Sequence, residues 1–281
     1  MAQIPVRRGN WLKRALGRGK TVIPVVRLQG VIAADQRQGR LNIANVAPLL
    51  KRAFAIKSAP AIAIIVNSPG GSPVQSRLIS KRIRDLADEH NKPVLVFVED
   101  AAASGGYFIA VAGDEIFADP SSIVGSIGVI MAGFGFVDAI GKLGIERRVH
   151  TAGVNKSTLD PFLPEKGEDV ERIKTFELDI HQVFIDHVKS RRGAKLKGAD
   201  DALFTGEWWT AVRGLDLGLI DAIGDLHEVL RSRYGKDIEL KLIEPKRGLI
   251  NFPRFGFSAE NLLGDVSASI EDRAAWARFG L

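Results

Sequence analysis

The stretch AIAIIVNSPGG, residues 61–71, joins an unbroken apolar run to a turn that contains one proline and two glycines. A short apolar run that ends in turn residues is typical of a strand covered on both faces, as in a parallel sheet. In α/β sheets the functional sites lie at the carboxyl ends of such strands. The turn at 67–71 therefore either only reverses the chain or presents its bare backbone to a substrate.

Further apolar runs and amphipathic stretches alternate along the chain on both sides of this turn. The strands predicted from them are 21–32, 61–67, 93–99, 114–119 and 145–150. The predicted helices are 45–56 with Asn45 as its cap, 78–87, 104–113 and 168–191. Residues 204–226 are predicted to form a helix, a turn and a short strand that close the core. Alternating strands and helices predict crossover units with parallel strands, and so an α/β fold.

Composition and charge exclude several kinds of site. The chain has 281 residues, a net charge of +6 and no cysteine, so disulfides, thiolate metal sites and cysteine nucleophiles are absent. Residues 1–20 hold six basic and no acidic side chains, so the whole excess charge lies there and the remainder is neutral. A nucleic-acid-binding domain usually carries basic charge on its folded surface, which disfavours that class. We expect no cofactor and no metal.

The basic segment at the start of the chain has a helical pattern. Trp11, Leu12, Ala15 and Leu16 recur at helical spacing, with lysine and arginine between them. Such a helix can lie on an anionic bilayer, and the alternative is a solvated tail. Because no signal peptide or membrane-spanning segment is apparent, we expect a cytoplasmic protein or one peripheral to the cytoplasmic membrane.

Ser104 is the first candidate for chemistry. It stands in VFVEDAAASGGYFIA, 96–110, between a predicted strand and a predicted helix. A serine there places its hydroxyl at the positive end of the helix dipole, and small neighbours admit a substrate carbonyl. The alternative is a simple helix cap, so a nucleophilic role also requires a base.

Two residues are candidates for that base. Lys156 lies in HTAGVNKSTLDPF, 150–162, in a predicted loop that contains no acidic residue before Asp160. The apolar stretch LDPFLP, 159–164, is a potential lid, and lysine acts as a base only where desolvation lowers its pKa. His150 ends the strand predicted at 145–150 and is the histidine rival.

Motifs in fixed order point to a family. NSPGGS (67–72), AAASGGYFIA (101–110), GSIGVI (125–130) and NKSTLDPF (155–162), followed by FTGEWW and GLIDAIG, resemble the signal peptide peptidase A type of bacterial serine peptidase over about residues 22–230. The resemblance implies a Ser/Lys dyad and a crotonase/ClpP-like core of repeated β-β-α crossover units that is oligomeric. It also implies a serine endopeptidase that hydrolyses hydrophobic peptides through an acyl-enzyme, and a homo-oligomer whose neighbouring copies can share a site.

The resemblance also implies roles for individual residues. Ser104 matches the nucleophile, Lys156 the general base, and Ser126 the serine that orients the lysine amine. Gly105 and Gly71 match the oxyanion-hole donors, with Gly70 the neighbouring alternative to Gly71. The related ClpP peptidases place a histidine about 25 residues after the serine, where this chain has Val129, and this favours Lys156.

The expected organisation is a basic arm at 1–21, a peptidase domain at 22–235 and a C-terminal strand and tail at 236–281. Val129, Ile130, Met131 and Phe134 either shape a hydrophobic substrate groove or pack in the core. One alternative function is an acyl-CoA hydratase or isomerase, because that branch of the fold uses similar backbone donors without a nucleophilic serine. The other is a scaffold that has lost catalysis.

Overall fold

A mixed sheet of eight strands organises the chain. The computed structural model describes residues 20–35, 37, 39–245 and 272–281. The strands are β1 Thr21–Gln29, β2 Ile62–Ser68, β3 Val94–Ala103, β4 Glu115–Ala118, β5 Ile123–Gly125, β6 Trp208–Thr210, β7 Ala222–Ile223 and β8 Ile238–Leu242. The order is β6-β5-β3-β2-β1-β8, and β4 also pairs with β3 and with β7. Among the strands that the structure describes, β5 and β6 alone pair antiparallel.

Helices connect the parallel strands, which confirms the predicted α/β fold. They are α1 Ile43–Phe54, α2 Pro73–His90, α3 Gly105–Ala110, α4 Val137–Lys142, α5 Gly167–Arg192, α6 Asp200–Leu203, α7 Ala211–Asp216 and α8 Leu226–Tyr234, with a short helix α9 at 272–277. No helix among the described residues is long and apolar enough to cross a membrane.

The sheet is buried on both faces, as the continuous apolar runs predict. Alternate residues of β2 belong to two different clusters, with Ile64 in the cluster that includes α1, α2 and α3 and Ala63 in the cluster that includes Leu230 of α8. Because β8 pairs with β1, the strand predicted after residue 236 belongs to this same sheet.

Strand β3 changes partners along its length, and this creates the surroundings of the site. Its first half, 95–98, pairs with β4, and 101–103 pairs with β5. The two neighbours diverge, so the carboxyl end of β3 is flanked by β2 on one side and by β5 on the other.

Two local predictions differ from the structure. Helix α1 begins two residues earlier than expected, and Asn42 caps it by accepting a hydrogen bond of 2.9 Å from the Asn45 nitrogen. The strand predicted at 145–150 is wrong, because the described residues 143–166 contain turns and irregular chain and no strand. A short segment forms a strand only where a neighbouring strand offers it hydrogen bonds.

Candidate active site

Ser104 occupies a strained turn between β3 and α3. Its φ of +51° and ψ of −121° are uncommon for a residue other than glycine, and such strain clusters at functional sites. The backbone is held by a bond of 2.9 Å from the Ser104 nitrogen to the Gly125 oxygen and one of 2.9 Å from the Phe108 nitrogen to the Ser104 oxygen. The Ser104 side chain makes no capping hydrogen bond to the described helix, so its hydroxyl remains available for chemistry.

The glycine turn of residues 67–71 packs directly against Ser104. Gly70 and Gly71 have φ of +106° and +136°, and a Cβ at Gly70 would lie 2.8 Å from the Ser104 Cβ. The Ile32 nitrogen donates to the Gly70 oxygen at 2.8 Å, and a Cβ at Gly71 would lie 2.0 Å from the Ile32 oxygen. Both positions therefore need glycine to keep the backbone this close to the serine.

Gly71 and Gly105 flank one space beside the serine. A Cβ built on Gly105 would lie 3.3 Å from the Gly71 nitrogen. The Gly70 nitrogen already donates to the Ser68 hydroxyl at 3.2 Å, which makes Gly70 the weaker candidate for an oxyanion donor. The geometry thus favours the pair Gly71 and Gly105.

Ser126 lies next to Ser104, at the end of the adjacent strand. It directly follows β5, whose Gly125 is in register with Ala103, and it is buried with φ of +53°. Its nitrogen donates to the Glu207 oxygen at 2.7 Å. The fold therefore brings Ser104 and Ser126 together from positions 22 residues apart in the chain.

Lys156 is not part of this cluster within one protomer. Lys156 is exposed in a turn, in which its backbone nitrogen donates to the Gly153 oxygen at 3.2 Å. His150 is exposed as well. The apolar stretch 159–164 does not cover the lysine, because Phe162 instead stacks on Phe136 with ring centroids 5.5 Å apart. The described protomer brings neither candidate base to Ser104.

An apolar cavity of about 210 Å³ opens beside the serine. Its lining residues are Gly71, Pro73, Val74, Ser76, Arg77, Ser104, Gly105, Phe108, Gly128, Val129, Ile180, Val183 and Phe184. Of the four apolar residues expected in a groove or in the core, Val129 is half-buried and lines this cavity. Ile130, Met131 and Phe134 are exposed, so the core alternative is wrong for them.

His187 lies behind the cavity wall formed by Phe108. Its Nε2 lies 3.0 Å from the Ser80 hydroxyl and 3.1 Å from the Phe108 oxygen, and its ring stacks on Phe108 with centroids 4.1 Å apart. Burial lowers the pKa of His187 to about 4, so the imidazole is neutral at ordinary pH. The only sequence signal is its position on α5.

A family model supplies the assignment. The model described as Peptidase family S49 matches residues 87–237, which are more than half of the chain. The chain belongs to peptidase family S49. This confirms the resemblance to signal peptide peptidase A type enzymes that the motifs predicted, and it disfavours the hydratase and isomerase alternative.

Individual proteins show how far the likeness extends. A Brucella abortus (strain 2308) protein called Na(+)/H(+) antiporter NhaA is 55% identical over 275 residues, which are 93% of this chain and 37% of that protein. A putative signal peptide peptidase SppA of Enterococcus faecium is 28% identical over 213 residues, which are 75% and 61% of the two chains. The chain thus spans less than two thirds of the length of either relative.

A solved structure supports the fold. A mutant of the 1510-N membrane-bound stomatin-specific protease superposes with a TM-score of 0.51 at 19% identity and covers 82% of this chain and 100% of that chain. At that identity the likeness concerns the fold, and it confirms the predicted core.

Proposed function

We propose that this chain is a serine endopeptidase with Ser104 as its nucleophile. The observation that carries the proposal is the strained serine turn beside the paired backbone of Gly71 and Gly105, at the mouth of an apolar cavity. Membership of peptidase family S49 supports the same chemistry.

The proposed reaction is acyl transfer. A base takes the proton of the Ser104 hydroxyl as its oxygen attacks a peptide carbonyl, and the carbonyl oxygen becomes an oxyanion between the Gly71 and Gly105 N–H groups. Loss of one such donor typically costs about 2.7–4 kcal/mol of transition-state stabilisation. The base then gives this proton to the leaving amine, whose departure leaves an acyl-enzyme that water hydrolyses to release the acid and restore the Ser104 hydroxyl.

The substrates we propose are hydrophobic peptides, such as signal-peptide remnants or membrane-derived segments. The cavity is lined mainly by apolar side chains and includes Ser104 in its lining, so we propose that it receives the side chain next to the scissile bond. Burial of an apolar side chain there contributes roughly 1.5–3 kcal/mol to binding, whereas a charged side chain loses its hydration.

For the general base we propose Lys156 from a neighbouring copy in a homo-oligomer, oriented by Ser126. The lysine lies on the exposed segment 130–166, and this segment carries apolar side chains that are unusual for a free surface. These exposed side chains are Ile130, Met131, Phe134, Phe136, Leu143, Ile145 and Val154. A second copy that covers them would desolvate this segment together with its lysine.

Single variants and their mixture test the proposal. We expect Ser104→Ala and Lys156→Ala each to lose activity on an unfolded hydrophobic peptide by orders of magnitude while they remain folded. His150→Ala is the control and keeps activity. Equal mixing of the two inactive variants restores about a quarter of the activity if the dyad forms between copies, since one site in four then pairs two intact residues.

The outcomes separate the alternatives. Near-wild-type activity of Lys156→Ala overturns the dyad and returns His150 as the base. If Ser104→Ala remains active, Ser104 is not the nucleophile. A wild type that is folded but inactive indicates the scaffold alternative. Peripheral binding to an anionic membrane through residues 1–20 is also a proposal, and residues 1–19 lie outside the described part of the chain.

A further inference from the structure

Residues 127–131, which we call the wall, have Val129 at their centre, between two cavities. Val129 lines the apolar cavity beside Ser104 and also lines a second cavity of about 270 Å³. The second cavity is more polar, and its other lining residues are Lys174, Glu177, Leu178 and His181, all on α5. Val129 therefore bounds both cavities, and a shift of its main chain would change the width of the apolar one.

Two polar side chains of α5 hold this wall at points on either side of Val129. His181 Nε2 lies 3.0 Å from the Ile127 oxygen, and because a carbonyl only accepts, the imidazole donates. The Met131 nitrogen donates to Glu177 Oε1 at 2.7 Å. The held backbone groups are two residues before and two residues after Val129, so both contacts restrain its main chain.

The same helix also builds the facing wall of the apolar cavity. Ile180 and Phe184 line that cavity, and they are spaced with Glu177 and His181 at intervals of three and four residues. Residues at this spacing lie on one face of a helix. One face of α5 thus lines the apolar cavity directly and also anchors the wall through Glu177 and His181.

We propose that Glu177 and His181 are specificity-determining positioning residues, which fix Val129 and so set the size of the apolar side chain that the cavity accepts. The inference rests on the proposed function for the meaning of the cavity. It assigns neither residue a contact with the reacting atoms.

The main test compares two glutamates of one helix. Glu177→Ala removes the acceptor for the Met131 nitrogen, whereas Glu177→Gln keeps an acceptor oxygen in the same place. Glu171→Ala is the matched control, since Glu171 is an exposed glutamate of α5 that pairs only with Lys174 among the described contacts of its carboxylate, at 3.0 Å. His181→Ala tests the second contact.

The probes are two amidated hexapeptides that differ only in leucine or alanine before the scissile bond. For Glu177→Ala and His181→Ala we expect the leucine-to-alanine ratio of kcat/KM to fall about tenfold, equivalent to about 1.4 kcal/mol, mainly through KM. Glu177→Gln and Glu171→Ala keep the ratio within about twofold of wild type. An unchanged ratio in Glu177→Ala, or an equal fall in Glu171→Ala, overturns the proposal.

A binding measurement separates this inference from the peptidase proposal. In a Ser104→Ala background, the dissociation constants of the same hexapeptides report the cavity without any turnover. If wild type hydrolyses neither peptide but Glu177→Ala still lowers the binding preference for leucine, the peptidase function fails and the positioning role stands. If hydrolysis occurs and neither preference changes, the positioning role alone fails.

Discussion

The substitution Gly105→Ala, which adds one methyl group, tests how tightly the turn that contains Ser104 is packed. A Cβ on Gly105 would lie 2.4 Å from the Ser76 Oγ and 3.1 Å from Ile32 Cδ1. The Ser76 hydroxyl is buried and donates to the Ser72 oxygen at 2.8 Å, so it moves only by breaking that bond. Overpacking of this kind costs about 1–3 kcal/mol.

The helix preference of alanine over glycine returns at most about 1 kcal/mol, because position 105 opens the first turn of α3. The clash therefore dominates, and we expect Gly105→Ala to lower the free energy of unfolding by about 1–2 kcal/mol. For a domain of this size that corresponds to a fall in Tm of roughly 2–8 °C.

Ser76→Ala should relieve the clash. Alone, it loses one buried hydrogen bond and costs about 0.5–1.5 kcal/mol. Combined with Gly105→Ala, it removes the oxygen that the methyl group meets. The free energy of unfolding of the double variant should therefore exceed the value expected from adding the two single losses by about 1 kcal/mol or more. Urea denaturation of the four proteins measures this coupling energy, and strict additivity would refute the packing argument.

Activity should not recover with stability. In the double variant the methyl group still lies 3.3 Å from the Gly71 nitrogen, within the space proposed for the oxyanion. We expect kcat/KM to remain about 10²–10³-fold below wild type, the usual loss for a disabled oxyanion donor. A stable double variant with full activity would show that Gly71 and Gly105 do not form the oxyanion hole.

Two further predictions concern His187 and the basic arm. The pKa of His187 is about 4 when folded and about 6.5 when unfolded, so the unfolded state takes up the proton first and stability falls as pH drops from 6.5 to 4. We expect a loss of roughly 2–3 kcal/mol over that range, and His187→Gln should flatten it; equal slopes for both proteins in urea titrations at each pH would contradict this. Removal of residues 1–19 should abolish flotation of the protein with anionic vesicles, whereas neither form should float with neutral vesicles. Equal flotation of the full-length and shortened forms with anionic vesicles would show that the arm is not a membrane contact.

Much of the fold was predictable from local patterns. The apolar runs of β2 and β3 indicate strands buried on both faces, and the stripe of α2 indicates a helix that packs on one side. The glycine turn after β2 could be predicted from the sequence alone, since few residues other than glycine adopt the φ values of Gly70 and Gly71.

Long-range pairing was not predictable in the same way. The sequence of β3 does not show that its halves pair with different strands, because strand propensity reports on burial rather than on partners. The segment 145–150 is predicted to be a strand, yet no strand pairs with it among the described residues. Glu177 and His181 contact residues 46 and 54 positions away, and only the tertiary structure brings them together.

The same distinction between local patterns and long-range contacts explains why one chain positions the proposed nucleophile but not the proposed base. Ser104 directly follows β3 and Ser126 directly follows β5, whereas Gly71 lies three residues after the end of β2. The register of these three neighbouring strands brings the three residues together within one chain. Lys156 lies on an exposed segment that the described sheet does not constrain. The sequence motifs identify both halves of the proposed dyad equally well, but the fold of one copy organises only the half that belongs to the sheet. This difference is the reason that the base is proposed, rather than observed, to come from a neighbouring copy, where contacts beyond the sheet would position the lysine.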